Sequence, residues 1–521
     1  MKTGRWWAAA ISVLAVAIVG CAPERDAAWR PPVWPEVALR IVSEVPAPID
    51  PASIPVVPQR VRNDALGIQA RFSYLPGTGP GVDTFNSRVR DFVRSAIAER
   101  SSATGVAYTP AVLPRGSGLG DRGCASGATA KPASEVLTDL SSGPAAGSGS
   151  AVVCGIEAAM GPVLGIRLRA VTGGPDGVRS DTSLSLYVDT STGETATGSE
   201  LWTDDAARSL TYQLVEMLRE DARALSMRSD ESTGDAQVEI VRQALSKAIP
   251  VAGGGFVATI PAGFDFAGLS QLGLNTTTQP MLIAIPAQVA SPLLSPFGAK
   301  LQSFAGQAYA GPARVAAGSE PVDCTLVPCV ALTYDDGPSV YTDGILDSLA
   351  AHHSAATFFA MGENAAAFSG VLARIVAEGN EVENHTWNHP RLPTISSARV
   401  SAQIRDTTRA LSAATGQPVT VFRPPHGLYN DTVLRAAGLA AILWDVDTFD
   451  WQSPRDEVLL TRAVDQPGPG SIVLMHDVQA VTARNASAVY EGLLDRGFTL
   501  VTVSQLFGGV LPTSGAWRHG P

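Results

Sequence analysis

The segment CVALTYDDGPSVYTDGILDSLAAHHSAATFFAM, residues 329–361, decides the fold of the C-terminal third of the chain. It contains an apolar stretch, a helical pattern and a second apolar stretch, an order typical of two parallel strands joined by a helical crossover. The alternation continues to residue 508 through the apolar stretches NEVENH, VTVFR, AAILWDV, SIVLMH and FTLVTV. Residues 320–508 are therefore predicted to form an α/β domain, a sheet or barrel of about seven parallel strands.

The region ahead of this domain has a different pattern. Residues 61–315 mix strand-like segments such as VLGIRLRAV with one clear helical pattern, DDAARSLTYQLVEMLREDARAL. Leu210, Leu214 and Leu218 recur at helical spacing, so they predict a helix face that packs into a core. We expect a smaller α+β accessory domain that carries no chemistry. The last residues, 509–521, are expected to form a tail.

The N-terminus has the features of an export signal. Two basic residues precede the apolar run 6–19, which is shorter than the ~20 residues of a membrane span but fits a secretory signal. The run ends in Ile18-Val19-Gly20-Cys21, which resembles a bacterial lipobox and implies removal of residues 1–20 and lipid attachment to Cys21. An uncleaved anchor and a plain signal with an incidental cysteine are the alternatives. Prolines in 21–60 predict an extended tether, so we expect an extracytoplasmic protein held by lipid at the outer face of the membrane.

Composition restricts the partners of the protein. The 521 residues are 45% hydrophobic and 17% charged, which is enough for two domains plus a tail, and the formal net charge is -11. Nucleic acid is excluded as a partner because its binding requires a sustained basic surface that neutralises phosphates. An uncharged or mixed-charge substrate fits better. The oligomeric state is not specified by the sequence.

Four cysteines remain when Cys21 is set aside. Outside the cytoplasm an even set favours disulfides, and three pairings are open. The pairing of Cys124 with Cys154 and of Cys324 with Cys329 keeps each bridge inside one predicted domain, so it is the expected one. A zinc site is the alternative, although the chain contains no CxxC motif.

Polar residues follow the predicted strands of the α/β domain at the ends where the loops of a parallel barrel converge. In chain order these residues are Asp335 and Asp336, His385 and His389, Arg423, Asp447 and Asp450, and His476. Scattered surface residues would not favour the strand ends in this way. The pattern predicts one site at the mouth of the domain.

Two of these segments carry the metal-binding prediction. The carboxylates in TYDDGPS, Asp335 and Asp336, repel each other, which suits a cation at one and proton transfer at the other; a DG turn beside a solvated aspartate is the alternative. His385 and His389 lie four residues apart and would share one face of a helical turn, although two surface histidines would explain them too. Together with Asp336 they form a His, His, Asp set with open coordination positions, as a hydrolytic metal site requires.

The segments TYDDGPS, HTWNH, RPPH, DTFDW and IVLMHD occur in the order and approximate spacing of the five motifs of the NodB-type polysaccharide deacetylases, also called carbohydrate esterase family 4. This resemblance covers the last third of the chain. It implies a distorted (β/α) barrel and metal-dependent hydrolysis of N-acetyl groups on polysaccharide. More weakly, residues 61–315 resemble the accessory domain of some peptidoglycan deacetylases and of lysozyme-sensing anti-sigma proteins.

The resemblance implies roles for the polar residues. Asp336, His385 and His389 are the implied metal ligands, with zinc expected and cobalt, manganese or nickel as alternatives. Asp335 is the implied general base, and Arg423 would hold it ionised.

The remaining roles concern the leaving group and the substrate. His476 is the implied general acid, with the Asp450 carboxylate beside it. The backbone N–H of His426 would stabilise the oxyanion. Trp451 and Leu474 would wall the pocket for the acetyl methyl group, with ordinary core packing as the alternative.

The chain departs from the family at His426, where tyrosine is usual. Its imidazole could add a titrating group or a ligand at the mouth of the site. The expected partner is the glycan strand of peptidoglycan, beside which the lipid anchor would hold the enzyme. Another acetylated glycan is an alternative substrate. A catalytically inactive wall-binding or lysozyme-sensing lipoprotein is a different class of function, and the presence of every implied ligand, base and acid argues against it.

Overall fold

The computed structural model describes residues 38–221, 234–266 and 276–521. The predicted signal peptide and Cys21 lie outside these described residues, as does the first part of the predicted tether. Within the described ranges, no helix is both long and apolar enough to cross a membrane.

The accessory region consists of helices and two β-sheets. Its strands are β1 (Arg40–Val42), β2 (Val57–Asn63), β3 (Ile68–Tyr74), β4 (Gly149–Met160), β5 (Val163–Gly174), β6 (Gly177–Asp189), β7 (Thr195–Thr197), β8 (Ile249–Pro250), β9 (Phe256–Ile260) and β10 (Met281–Ile285). Its helices are α1 (Pro80–Thr104), α2 (Ala133–Thr138), α3 (Ala206–Asp221), α4 (Asp235–Leu245), α5 (Ala287–Ala290) and α6 (Pro296–Ser303). One sheet has the order β2-β3-β4-β5-β6-β7 and the other β1-β10-β9-β8, and every strand pair in the two sheets except β3 with β4 is antiparallel.

Helix α1 covers the larger sheet with residues at helical spacing. Phe85, Val89 and Val93 are fully buried in the core that includes β3 and β4. The helix ends at Gly105, whose φ of 71° is the left-handed cap conformation that glycine adopts without steric cost. The core-facing stripe predicted for α3 is also buried, with Leu210, Leu214 and Leu218 in the core beside the smaller sheet.

Part of the predicted tether is folded. Strand β1 pairs with β10, with Ile41 opposite Ile283, and β2 starts at Val57. The structure therefore differs from the expected boundary at residue 60, because the short apolar stretches between the prolines complete two sheets. In the same region Cys124 is bonded to Cys154, and ahead of the next strand Cys324 is bonded to Cys329.

The C-terminal domain confirms the predicted α/β class. Its strands are β11 (Cys329–Asp335), β12 (Thr357–Ala360), β13 (Glu381–Asn384), β14 (Val421–Phe422), β15 (Ala440–Ile442), β16 (Val446–Asp447), β17 (Ile472–His476), β18 (Thr499–Val501) and β19 (Ala516–Trp517). Its helices are α7 (Thr342–Ala351), α8 (Ser369–Ala377), α9 (Ser397–Thr415), α10 (Asp431–Ala437), α11 (Asp456–Leu460), α12 (Ala480–Asp495) and α13 (Val503–Leu506). All strand pairs of its sheet are parallel.

The sheet curls into a distorted barrel. Its order is β16-β17-β11-β12-β13-β14-β15-β19, with β18 pairing on β11. The stretch AAILWDV supplies both β15, which pairs with β14, and β16, which pairs with β17. A single run of chain therefore bridges the two sides of the sheet. Strand β19 lies within the predicted tail and pairs with β15, so this tail is part of the sheet.

Candidate metal centre

The two adjacent aspartates at the end of β11 point to different partners. Asp335 is the last residue of the strand and is buried, whereas Asp336 has a φ of 74° and turns its carboxylate towards the histidines. Gly337 follows, and a Cβ there would lie 2.1 Å from the Oδ1 atom of Asp477. Only glycine fits this turn without displacing the Asp477 side chain.

Asp336, His385 and His389 form a compact group. One possible ligand atom from each residue lies within 4.8 Å of the other two. The Oδ1 atom of Asp336 is 3.3 Å from Nε2 of His385 and 3.4 Å from Nε2 of His389. The structure thus brings the three predicted ligands together.

The chemistry of this group fits a cation. The Nδ1 atom of His385 lies 2.9 Å from the carbonyl oxygen of Arg423 and donates to it, so Nε2 is the ring nitrogen that faces Asp336 and can ligate. The Oδ1 atom of Asp336 is buried and accepts no hydrogen bond from the described residues. Burial, helped by the neighbouring His385, lowers the pKa of His389 to about 4, so His389 is neutral and able to ligate. Two imidazole nitrogens and a carboxylate oxygen thus converge at one point, a donor set that suits a divalent cation.

The HTWNH segment is an irregular loop and not the helical turn expected from its spacing. Thr386 and His389 have φ values of 67° and 58°, in the left-handed region. Asn384 accepts the Thr386 N–H at 2.8 Å, and Gln403 of α9 accepts the Trp387 N–H at 2.7 Å. These two amide side chains place the second histidine, and no local sequence signal distinguishes them from other polar residues.

Arg423 and Asp335 form a buried ion pair. The guanidinium Nη1 lies 2.8 Å from Oδ1 of Asp335 and also donates to Thr333 at 2.7 Å. Its other nitrogens donate to the carbonyl oxygens of Ile442 and Leu443. Burial lowers the pKa of Arg423, and the Asp335 charge opposes this. Every guanidinium nitrogen thus donates at least one hydrogen bond, and the fixed guanidinium holds the Asp335 carboxylate in one orientation.

His476 and Asp450 form a second pair across the site. Nδ1 of His476 lies 2.7 Å from Oδ1 of Asp450, whose Oδ2 accepts the His476 backbone N–H at 2.7 Å and the Thr482 hydroxyl at 2.5 Å. Burial opposes the charged imidazole, but Asp450 outweighs it and raises the pKa of His476 to about 9. His476 is therefore protonated at neutral pH. Thr482, which fixes Asp450, was not predicted from the sequence.

The remaining predicted residues surround this centre. His426 has a φ of 58°, and its ring centre lies 4.5 Å from that of His389, but it is outside the ligand group. Burial lowers the pKa of His426, and Arg391 lowers it further. Leu474 of β17 is buried, whereas Trp451 is 53% exposed.

Asp477, which was not singled out from the sequence, is buried next to the site. It accepts the Thr342 hydroxyl at 2.5 Å, and burial raises its pKa to about 7. Its position directly after His476 is the signal that could have identified it.

Backbone strain is concentrated at the same end of the sheet. Seven non-glycine residues of the described chain have positive φ, and six of them lie in the loops around the centre: Asp336, Thr386, His389, His426, Phe449 and Ser453. Each such residue costs about 1–3 kcal/mol and persists where its surroundings impose it, most often at functional sites.

Comparison with known proteins agrees with this geometry. Residues 323–442 match the family model described as polysaccharide deacetylase. The peptidoglycan-N-acetylmuramic acid deacetylase PdaC of Bacillus subtilis is 39% identical over 178 residues, which are 34% of this chain and 38% of PdaC. The peptidoglycan-N-acetylglucosamine deacetylase PgdA of Listeria monocytogenes is 38% identical over 180 residues, 34% of this chain and 39% of PgdA. A chitooligosaccharide deacetylase of Sinorhizobium fredii is 36% identical over 203 residues, 36% of this chain and 94% of that protein.

The matches differ in how much of each relative they include. The chain covers 38% and 39% of the length of the two peptidoglycan deacetylases, but nearly all of the chitooligosaccharide deacetylase. The family model matches residues 323–442, which lie in the C-terminal domain together with most of the candidate metal centre.

Proposed function

The chain belongs to the polysaccharide deacetylase family, and from this we propose that it hydrolyses N-acetyl groups on extracytoplasmic polysaccharide, in a metal-dependent reaction. The observation that supports this best is the buried Oδ1 of Asp336, which faces Nε2 of His385 and of His389 without a hydrogen-bond partner among the described residues. Zinc suits two imidazoles and a carboxylate, with cobalt, manganese or nickel as alternatives.

The residues on either side of the centre supply the proton transfers. A bound divalent cation supplies a Lewis acid for a water molecule and for the acetyl carbonyl. Asp335, held in place by Arg423, accepts the proton of the attacking water. His476, protonated through its pair with Asp450, donates a proton to the sugar nitrogen as the C–N bond breaks. The backbone N–H of His426 is the proposed donor to the developing oxyanion.

Peptidoglycan is the proposed substrate. Two of the relatives are named as deacetylases of its N-acetylmuramic acid or N-acetylglucosamine, and the proposed lipid anchor on Cys21 would hold the enzyme beside the cell wall. The glycan strand and, through the anchor, the outer face of the membrane are thus the proposed partners. The net charge of -11 suits a substrate without the dense negative charge of nucleic acid.

The test uses the purified full chain, assayed for bound metal, with peptidoglycan as substrate. We expect released acetate, and mass spectrometry of the digested glycan identifies the deacetylated sugar. Asp335→Asn should lower the release by about 10²–10⁴-fold, whereas the matched exposed variant Asp176→Asn, in the turn between β5 and β6, should not change it. If the metal-loaded protein released no acetate from any acetylated glycan, the proposed activity would be excluded.

A further inference from the structure

Phe449 has an unusual backbone and an unusual exposure. It lies in the DTFDW segment with φ 50° and ψ 33°, a left-handed conformation that is a genuine outlier for a bulky residue. Its ring is 38% exposed, and the neighbouring Trp451 is 53% exposed. The two ring centres lie 6.3 Å apart with the planes tilted by 48°. A strained backbone therefore holds two aromatic side chains at the surface, where they gain little stability from apolar burial.

Contacts beneath and beside the ring hold this conformation. The guanidinium carbon of Arg462 lies 4.9 Å from the centre of the Phe449 ring, within the range of a cation–π interaction. Arg462 is itself held by a hydrogen bond to the Thr448 carbonyl oxygen at 3.1 Å. The Phe449 N–H donates to Oδ1 of Asp447 at 2.8 Å. Arg462 covers one face of the Phe449 ring and holds the ring in place.

Phe449 and Trp451 belong to the segment that holds the proton donor of the proposed reaction. Asp450 lies between Phe449 and Trp451 in the chain, is fully buried, and holds His476 at 2.7 Å. The Thr448 hydroxyl, directly before Phe449, donates to the Leu474 carbonyl oxygen at 2.8 Å, so the loop is fixed on the strand that ends at His476. A sugar whose nitrogen receives a proton from His476 would therefore have the next ring of the same glycan strand within reach of this loop. The half-buried carboxylate of Asp447 could accept a hydrogen bond from a sugar hydroxyl there.

We propose that Phe449 and Trp451 form an aromatic shelf that binds the pyranose ring next to the sugar being deacetylated. This proposal rests on the proposed deacetylase function and extends it to a binding site for the glycan strand. The C–H face of a pyranose is apolar and its edge is polar, so it matches a rigid aromatic face with a carboxylate at its side. Phe449 and Trp451 are already ordered, so binding costs little side-chain entropy.

The test measures acetate release from β-1,4-linked N-acetylglucosamine oligomers, from disaccharide to pentasaccharide, by the metal-loaded full chain. In Phe449→Ala we expect KM for the tetrasaccharide to rise about tenfold, with a smaller rise for the disaccharide and kcat within about twofold of wild type, because the shelf contributes binding and not chemistry. Phe449→Tyr, which keeps the ring, should restore the wild-type KM. Tyr212→Ala removes an exposed aromatic ring of α3, 53% exposed like Trp451, and is the control.

A glycine variant separates binding from folding. Phe449→Gly removes the ring and also relieves the positive φ, so its Tm should equal or exceed that of wild type while its KM matches Phe449→Ala. The proposal would be wrong if Phe449→Ala had the wild-type KM, or if its KM rose by the same factor for every oligomer length.

A binding measurement distinguishes failure of the shelf from failure of the proposed activity. If wild type itself released no acetate, calorimetric titration with the tetrasaccharide would still test the shelf. Weaker binding by Phe449→Ala than by wild type would support it, and equal binding or no binding by both would overturn it.

Discussion

At the scale of single residues, one backbone dihedral angle gives the neighbouring aspartates Asp335 and Asp336 different partners. Asp335 continues the extended strand and reaches Arg423, whereas Asp336, at a φ of 74°, reaches His385 and His389. The residue types at this site could be predicted from the sequence, because carboxylates and imidazoles at strand ends are rare. The φ value could not, because it is imposed by the turn around Gly337 and its contact with Asp477.

This separation predicts different consequences for Asp335 and His389. Asp335→Asn should lower acetate release by about 10²–10⁴-fold, the contribution of a general base, and should keep the bound metal. His389→Ala should lose metal as well as activity, because it removes one of the three proposed ligands. Acetate release and metal content per protein, measured by mass spectrometry at the same temperature, check both variants. Loss of metal in Asp335→Asn would place Asp335 among the ligands. Because Arg423 would keep no charged partner, that variant should also have a lower Tm.

The pair of His476 and Asp450 predicts a pH effect. Burial lowers the pKa of His476, but its hydrogen bond to the Asp450 carboxylate outweighs burial, and the pKa is raised to about 9. A general acid must be protonated, so activity should fall as the pH rises through this pKa. In Asp450→Asn the carboxylate charge is gone, the pKa of His476 falls, and the alkaline limb of the kcat/KM profile should move to lower pH. The pH dependence of acetate release measures this shift. An unchanged alkaline limb would mean that a group other than His476 donates the proton.

At the scale of secondary-structure elements, the sequence predicted the repeating order but not every boundary. The strands from CVALTY to SIVLMH were predictable because apolar stretches alternate with helical patterns. The division of AAILWDV into β15 and β16 was not, because it depends on pairing with β14 and β17, which lie far away in the sequence. The loop form of HTWNH depends on Gln403, which lies on the following helix. Elements were thus predictable from local periodicity, and their distortions were not, because distant partners cause them.

The turn that ends β11 predicts a strict requirement for glycine. A Cβ at residue 337 would meet both carboxylate oxygens of Asp477 at 2.1 Å. Gly337→Ala should therefore displace Asp477 or the turn, shift Asp336, and weaken metal binding by about tenfold or more, as loss of supporting contacts does at metal sites. Competition with a fluorescent chelator measures the metal affinity. Gly344→Ala is the matched control, because a Cβ there meets nothing within 4 Å. Equal affinity in the two variants would contradict this account of the turn.

At the scale of the whole molecule, the accessory region and the catalytic domain are joined by polar contacts as well as by apolar packing. Their buried residues form one continuous cluster that includes Val89 of α1 and Leu326 ahead of β11. The Tyr108 hydroxyl donates to the Leu326 carbonyl oxygen at 2.5 Å, and Arg94 pairs with Asp323 at 2.9 Å. The sequence divided the chain correctly into two kinds of structure. It did not predict this joint, whose residues have no distinctive pattern.

Asp495 at the end of α12 makes several hydrogen bonds to the accessory region, and these give a prediction about stability. Its carboxylate accepts backbone N–H groups of three consecutive residues of the accessory region: Gly116, Ser117 and Gly118. An amide offers one acceptor oxygen instead of two, so Asp495→Asn should lower the free energy of unfolding by about 1–3 kcal/mol, as for hydrogen bonds to charged groups. Urea denaturation of the full chain measures this change. Asp456→Asn, which removes the charge from an exposed pair with Arg484, should change the free energy by less than about 0.5–1 kcal/mol. The loss should be accompanied by faster proteolysis of the segment around Gly116, because its N–H groups then lose their fixed acceptor. Equal stability of the two variants would mean that Asp495 does not help to hold the two domains together.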